Sequence, residues 1–226
     1  MPYGTITSFD ESNFQFGKLI VGSDDGIVSI SNDSGKTWKS VSDDLPPDLW
    51  VSRVIFSKHE KNTIYLSLNG YRYNDFKPYI YVSNDNGDSW ENISSNLPLS
   101  PVNVMREDIN RKEILYVGTD NGLFISFNSG KKWHPFESSL NRVAVHDLVI
   151  QNEKNDLLVG THGRSIYKTN LDLFNDFMIE KNGEKPLIIF VLNDLRHSNS
   201  WGKRSNYSDD VFKSSVNTIV FSDNSI

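Results

Sequence analysis

The octapeptide Ser31-Asn32-Asp33-Ser34-Gly35-Lys36-Thr37-Trp38 recurs twice more, in modified form, in this chain of 226 residues. The second copy spans residues 83–90 and the third spans residues 126–133, where Asn128 takes the place of the aspartate. The tryptophans that end the copies are 52 and then 43 residues apart. A period of this size with strand-like flanks is typical of β-propeller blades. The sequence therefore predicts an all-β fold of four-stranded antiparallel meanders.

Each copy of the octapeptide is expected to form a hairpin turn. Its aspartate can accept hydrogen bonds from backbone N–H groups a residue or two ahead, and its glycine can adopt positive φ. Its tryptophan is expected to begin the next strand and to bury its ring between neighbouring sheets. The pattern resembles the Asp-box (bacterial neuraminidase repeat), and we call the three copies the Asp-box turns. Their structural positions are Ser31, Asp33, Gly35, Trp38, Ser83, Asp85, Gly87, Trp90, Ser126, Asn128, Gly130 and Trp133.

Strand-length apolar runs divide the chain into four repeats, at about residues 3–47, 48–98, 99–141 and 142–170. The fourth repeat has no Asp-box turn, and an insertion at residues 69–78 lengthens the second. Residues 171–226 are predicted to be a C-terminal tail with one or two strands, partly disordered. Four repeats suit a four-bladed ring, an open arc or part of a larger propeller, and we favour the last. The expected partners are then the missing blades, or another chain that covers the open strand edges.

Composition argues against several classes of function. The formal net charge of −6 disfavours nucleic acid and anionic membranes as main partners. The chain has no cysteine, which excludes disulfides and thiolate metal sites. No apolar run is long enough for a membrane-spanning helix, and the first residues lack the features of a signal peptide. We expect no cofactor and no metal.

Four stretches resemble a known family: residues 50–54, residues 74–79, residues 106–108 with 116–122, and residues 145–148 through 160–166. They are similar to the sortilin-type propeller superfamily, in particular to large bacterial proteins named glycosyl hydrolases. The resemblance implies a C-terminal fragment of a seven-bladed propeller in a longer secreted or periplasmic protein. It implies no established catalytic set. Relatives of this type bind peptides or proteins, whereas other Asp-box propellers are sialidases and xyloglucanases.

Aligning the repeats places one set of polar side chains at a single rim of the propeller. The first strands start, and the second strands end, at the rim opposite the Asp-box turns. Gly4-Thr5 is expected to align there with Ser52-Arg53. Polar groups on loops of a rigid scaffold are the usual material of a binding site. The predicted binding face comprises Arg53, Asp24, Asn69, Asp120, His146, Asp147, His162 and Arg164, with Tyr71 and Tyr73 from the insertion.

Several of these residues also have a purely structural interpretation. Arg53 can pair with a carboxylate on a neighbouring blade. His146 and Asp147 are adjacent on a strand and should point to opposite faces, so turn chemistry suits them better than joint acid–base catalysis. The sequence therefore favours a non-catalytic propeller segment that binds a protein, a peptide or a glycan. The alternative is part of a glycoside hydrolase whose remaining catalytic groups lie on other blades.

Overall fold

The computed structural model describes residues 4–136 and 142–172, together with the backbone of residues 187–189 and 220–222. The chain divides into two compact units, Met1–Asn170 and Leu171–Ile226. In the second unit, the described backbone is an antiparallel pair of strands, β16 (Leu187–Ile189) and β17 (Val220–Ser222). Other predictions for the tail fall outside the described residues.

The first unit consists of four antiparallel meanders, which we call blades 1 to 4, as expected for propeller blades. Blade 1 comprises β1 (Ile6–Glu11), β2 (Leu19–Ser23), β3 (Val28–Ser31) and β4 (Lys39–Ser40). Blade 2 comprises β5 (Trp50–Phe56), β6 (Ile64–Asn69), β7 (Tyr79–Ser83) and β8 (Glu91–Asn92). Blade 3 comprises β9 (Val102–Glu107), β10 (Leu115–Thr119), β11 (Gly122–Ser126) and β12 (Trp133–Pro135). Blade 4 has three described strands, β13 (Val145–Gln151), β14 (Asp156–Thr161) and β15 (Ile166–Asn170).

The cores lie between successive blades, because alternate side chains of a strand point to opposite faces. One apolar cluster joins blades 1 and 2, and includes Val54 and Phe56 of β5. A second cluster joins blades 2 and 3, and includes Ile55 of the same strand. β5 therefore contributes to both cores with a period of two residues.

The first strand of each blade (β1, β5, β9 and β13) carries a β-bulge. The bulge is the residue that follows the first residue paired with the second strand. The bulged residue is Thr7 in blade 1, Ser52 in blade 2, Asn103 in blade 3 and His146 in blade 4. This register corrects the expected alignment of blade 1, since Thr7-Ser8, and not Gly4-Thr5, corresponds to Ser52-Arg53. The four bulges define equivalent positions in all four blades.

The Asp-box turns are held by their own side chains. Asp33 accepts hydrogen bonds from Ser31 Oγ at 2.8 Å, from the backbone N–H of Thr37 at 2.9 Å and from Thr37 Oγ1 at 2.6 Å. The bonded N–H lies four residues ahead, farther than a simple Asx-turn requires. Gly35 has φ of 83° and donates its N–H to Ser31 Oγ, as expected for a position that favours glycine.

The tryptophans of the turns link successive blades, with one exception. Trp90 Nε1 donates to the carbonyl of Val41 in blade 1, and Trp133 Nε1 donates to the carbonyl of Ile93 in blade 2. Trp38 Nε1 donates to Gly35 of its own turn, and the Trp38 ring is exposed. The prediction that all three rings are buried between sheets is therefore wrong for Trp38. The prediction that they begin strands holds for Trp133 alone, because β4 and β8 begin one residue after their tryptophans.

Candidate functional site

Two arginines from different blades converge on one carboxylate near the centre of the blade array. Arg53 of β5 donates from Nη2 to Asp147 Oδ1 of β13 at 2.7 Å. Arg106 of β9 places Nη2 3.7 Å from the same oxygen, while its Nε donates to the carbonyl of Leu148 at 2.8 Å. We call Arg53, Arg106 and Asp147 the arginine cluster. It connects blades 2, 3 and 4.

The cluster carries more positive than negative charge. Burial lowers the pKa of Arg106, and the neighbouring positive charge of Arg53 lowers it further. The Nε atom of Arg53 is buried and has no hydrogen-bond partner among the described residues. A buried donor without a partner is costly. A hydrogen-bond acceptor that reached this atom would remove the cost.

A cavity of about 190 Å³ adjoins the cluster. It is open to solvent on one side and combines apolar with charged walls. Its lining residues come from blades 1, 2 and 3 and the loop after β5; they are Phe9, Asp10, Arg53, Ile55, Lys58, Arg106 and Glu107. A small, partly apolar cavity with a few convergent polar groups is typical of a ligand site.

The carboxylates at the cavity are bound to other groups of the protein. Asp10 accepts the backbone N–H of Phe56 at 2.9 Å. Glu107 accepts a hydrogen bond from Ser57 Oγ and another from the backbone N–H of Lys58. Burial raises the pKa of Glu107, although these two hydrogen bonds oppose the shift. With Asp147 held by the arginines, each of the three carboxyl groups has a structural role.

The rim holds a second chain of polar contacts that crosses from blade to blade. Asn69 at the end of β6 donates from Nδ2 to Asn103 Oδ1 at 2.9 Å. Asn103 donates from its own Nδ2 to Asp120 Oδ1 at 2.8 Å and to the carbonyl of Val145 at 3.2 Å. Asn103, which was not among the predicted binding residues, therefore connects Asn69 with Asp120.

The insertion of blade 2 is folded tightly and presents aromatic rings. Tyr71–Tyr73 form one turn of 3₁₀ helix, and Asn74 closes it in the left-handed conformation. Tyr71 and Tyr73 are both exposed. The Arg72 guanidinium lies 5.2 Å from the Trp50 ring centre and 3.7 Å from Asp24. Asp24 also accepts the backbone N–H of Thr5 at 2.8 Å, so it links the start of β1 to the end of β2 within blade 1.

On blade 4, the adjacent residues His146 and Asp147 contact different partners. His146 packs against His162 with 5.3 Å between ring centres, whereas Asp147 points to Arg53 and Arg106. Arg164 is exposed on the same loop as His162. Within the described ranges, no group of three His, Asp or Glu side chains is placed to hold a metal ion.

Sequence reasoning found part of the arginine cluster and missed the rest. Arg53 and Asp147 were selected because both follow the rim position, and the bulge register confirms their equivalence. The carboxylate partner of Arg53 comes from blade 4, two blades away, and not from a neighbouring blade. Arg106 was missed because it lies two positions after Val104, which is the equivalent of Arg53. Alternate residues of a strand share one face, so Arg106 points toward the next blade and contacts Leu148 there.

Repeated four-stranded blades with Asp-box turns around a polar inner face define a β-propeller protein. Residues 78–223 match the Sortilin-Vps10 family model, described as sortilin, neurotensin receptor 3. The chain belongs to this family.

Related proteins agree with this assignment. The vacuolar protein sorting/targeting protein PEP1 of Saccharomyces cerevisiae is 31% identical over 99 residues, which are 44% of this chain and 5% of PEP1. The chain thus spans a small part of this curated relative.

Solved structures share the fold at low sequence identity. The GH74 xyloglucanase of Xanthomonas campestris gives a TM-score of 0.58 at 14% identity, covering 74% of this chain and 29% of that one. YCF48 bound to D1 peptide gives a TM-score of 0.55 at 15% identity, covering 75% of this chain and 52% of that one. Among residues 4–136 and 142–172, no helix is long and apolar enough to cross a membrane.

Proposed function

We propose that this propeller segment is a non-catalytic binding module that recognises a peptide or protein ligand through a carboxylate. The observation that carries the proposal is the arginine cluster, in which two guanidinium groups share the single carboxylate of Asp147 beside a cavity. Arginine presents a planar fork of donors that suits carboxylates. A ligand carboxylate would take the place of Asp147 or share the two arginines with it.

Membership in the sortilin family and the solved complex of YCF48 with a peptide support a binding role. The neutral ring hydroxyls of a glycan would gain less from two guanidinium groups than a carboxylate would. The exposed ring of Phe9, which lines the cavity, offers an apolar contact beside the arginines. Aromatic anchors of this kind often contribute most of the energy in protein recognition.

The test is affinity selection from two random octapeptide libraries, one that contains Asp and Glu and has free C-terminal carboxylates, and one that lacks Asp and Glu and has amidated C-termini. The immobilised chain should enrich peptides from the free-acid library. Arg53→Gln should reduce the affinity of enriched peptides about 10- to 100-fold, since a hydrogen bond to a charged group contributes about 1.5–3 kcal/mol. Arg111→Gln is the matched control, because Arg111 pairs with Glu113 and does not line the cavity. Equal enrichment from both libraries would contradict the proposal.

Glycoside hydrolysis is the competing function, and an activity assay on the same protein distinguishes it from binding. Xyloglucan is the substrate to test, given the GH74 neighbour. We expect no release of reducing sugar, because Asp10, Glu107 and Asp147 are each held by structural partners. Turnover that Asp147→Asn or Asp10→Asn abolishes would replace the binding proposal with a glycoside hydrolase.

A further inference from the structure

The connection between β6 and β7 is longer than its counterparts in the other blades. It spans residues 70–78, whereas blades 1, 3 and 4 use residues 24–27, 120–121 and 162–165. Two residues suffice to join antiparallel strands, so the extra residues are not needed to close the hairpin. Blade 2 packs against a described blade on each side, so this connection is not part of a face left open at the first or last blade. We call residues 70–78 the aromatic loop.

The aromatic loop presents three aromatic rings to solvent. Tyr71, Tyr73 and Phe76 are 62%, 52% and 46% exposed. The Tyr71 and Phe76 rings meet edge to face, with 6.2 Å between their centres. Exposed apolar side chains that cluster in this way are typical of interaction sites, because solvent contact forfeits the free energy of burying them.

The backbone of the loop holds these rings in fixed positions. The N–H groups of Tyr73 and Asp75 donate to the carbonyl of Gly70 at 2.9 Å and 3.1 Å. Asp75 in turn accepts the Tyr79 hydroxyl at 2.6 Å and the backbone N–H of Lys77 at 3.1 Å. Gly70 permits this closure, because an added Cβ would lie 2.7 Å from the carbonyl oxygen of Asp75. A partner would therefore meet a preorganised surface, and binding would not have to order the loop.

The exposed charges of the aromatic loop are positive. Arg72 and Lys77 are exposed, whereas Asp75, the one carboxylate of the loop, is bound to Tyr79 and to the backbone of Lys77. Asp24 of blade 1 lies 3.7 Å from Arg72, but the Asp24 side chain is 10% exposed and that of Arg72 is 55% exposed. The loop therefore combines aromatic rings with two cationic groups, which an acidic partner would complement.

The residue types of the loop are those that dominate protein recognition. Tyrosine and arginine are enriched among the residues that contribute most to the energy of protein interfaces. Tyrosine provides a large contact area with few side-chain torsions, and glycine and asparagine accompany it in binding loops. Residues 70–74 of the aromatic loop consist of these four residue types alone. The two cations favour a partner that carries carboxylates over a neutral sugar.

We propose that the aromatic loop is a second docking site, which binds a protein segment whose apolar side chains are flanked by aspartate or glutamate. The apolar side chains would pack on Tyr71, Tyr73 and Phe76, and the carboxylates would pair with Arg72 and Lys77. The loop shares no residue with the arginine cluster or with its cavity. The two sites can therefore be tested independently in one protein.

The first test measures whether the rings are accessible in the full chain. Hydroxyl-radical footprinting, read by mass spectrometry, should label Tyr71, Tyr73 and Phe76 strongly. Tyr65 and Tyr116, which are 6% and 0% exposed, are internal references and should stay unlabelled. Protection of the three loop rings in the isolated chain would mean that another part of the chain covers them, and it would overturn the proposal.

The second test selects binding peptides with the Arg53→Gln chain, in which the arginine cluster is weakened. Two amidated dodecapeptide libraries are compared, one with all side chains and one with asparagine and glutamine in place of aspartate and glutamate. The immobilised chain should enrich peptides from the first library only, with apolar residues next to acidic ones. Enrichment from neither library, or equal enrichment from both, would overturn the proposal and leave the arginine cluster to its own test.

Single variants then assign the enriched peptides to the loop. Tyr71→Ser and Tyr73→Ser should each weaken their binding at least about 10-fold, as expected for aromatic anchors of an interface. Phe16→Ser is the matched control, because it removes an exposed ring from the loop between β1 and β2, and it should leave the affinity unchanged. All three variants should keep the unfolding midpoint of the parent chain, since the rings are exposed.

Two results of these measurements would contradict a docking site for acidic protein segments. One is unchanged peptide affinity in both Tyr71→Ser and Tyr73→Ser. The other is footprint protection of the loop rings by a neutral xyloglucan oligosaccharide and not by the enriched peptides, which would indicate a glycan site instead.

Discussion

At the residue scale, the Asp-box carboxylates are the most strongly shifted acids of the turns. The hydroxyl and the backbone N–H of Thr37, with Ser31, lower the pKa of Asp33 to about 2. Ser89 and Ser83 lower the pKa of Asp85 to about 2 in the same way. These hydrogen bonds favour the charged form, since a carboxylate that accepts several donors loses them on protonation.

This shift predicts an acid-dependent loss of stability. Because the folded-state pKa lies below the unfolded value near 3.8, the stabilisation is complete above about pH 4 and is lost as the pH falls toward 2. Replacing Asp33 and Asp85 by asparagine should flatten the fall in unfolding free energy over this range. Urea unfolding at pH 4 and pH 2 would measure the change in unfolding free energy between the two pH values.

The third Asp-box turn already contains asparagine at the position that the double variant changes. Asn128 already accepts hydrogen bonds from Ser126 Oγ at 3.0 Å and from the backbone N–H of Lys132 at 2.8 Å. An amide can therefore hold the same turn without titrating. If wild type and variant lose the same stability between the two pH values, the carboxylates do not control acid sensitivity.

At the element scale, the buried and exposed tryptophans should differ in their contribution to stability. Trp133 is buried and bonds to the carbonyl of Ile93, so Trp133→Ala should cost about 3–5 kcal/mol of unfolding free energy. Trp38→Ala removes an exposed ring and should cost less than about 1 kcal/mol. Denaturant midpoints of the two variants test the difference. Similar costs would mean that Trp38 is buried in solution.

That comparison also shows where sequence reasoning works at this scale. The strands and the Asp-box turns were predictable, because period-two apolar runs and turn residues are local signals. The exposure of Trp38 was not, because a ring at the same motif position is buried only if another blade precedes it. The shift of three residues from Gly4-Thr5 to Thr7-Ser8 was missed because composition does not mark where β1 begins to pair with β2.

The candidate site was predictable in part for the same reason. Arg53 and Asp147 could be found because they occupy one repeated position. Their convergence with Arg106 depends on how three blades are arranged about one axis. Comparing the repeats in sequence identifies equivalent positions, but it does not show how the blades are placed relative to one another.

At the scale of the whole molecule, stability should depend on contacts between successive blades. Gly118→Val would place a side chain against Val145 and Val104, with the added Cβ 2.5 Å and 2.7 Å from their Cγ1 atoms. Overpacking of this kind should cost about 1–3 kcal/mol. The matched variant Gly160→Val meets no such contact and should leave the unfolding free energy nearly unchanged.

The loss of local stability in Gly118→Val should be confined to the blades next to the altered contact. In repeat proteins each unit contacts mainly its neighbours, so a weakened junction opens locally. The ion pair between Arg53 and Asp147, which joins blades 2 and 4, is an exception to this rule in the described residues. In Gly118→Val, amide hydrogen exchange should accelerate in β13–β15 and change little in β5–β7. Uniform acceleration across all blades would show instead that the unit opens as a single cooperative body.

Val51 of blade 2 packs on Gly22 of blade 1, and Val145 of blade 4 packs on Gly118 of blade 3. The direction of these contacts has a consequence for biosynthesis, because in both pairs the glycine leaves the ribosome before the valine that packs on it. A blade that folds as it emerges therefore finds the glycine surface of the preceding blade already made, and its valine can be covered without waiting for later sequence.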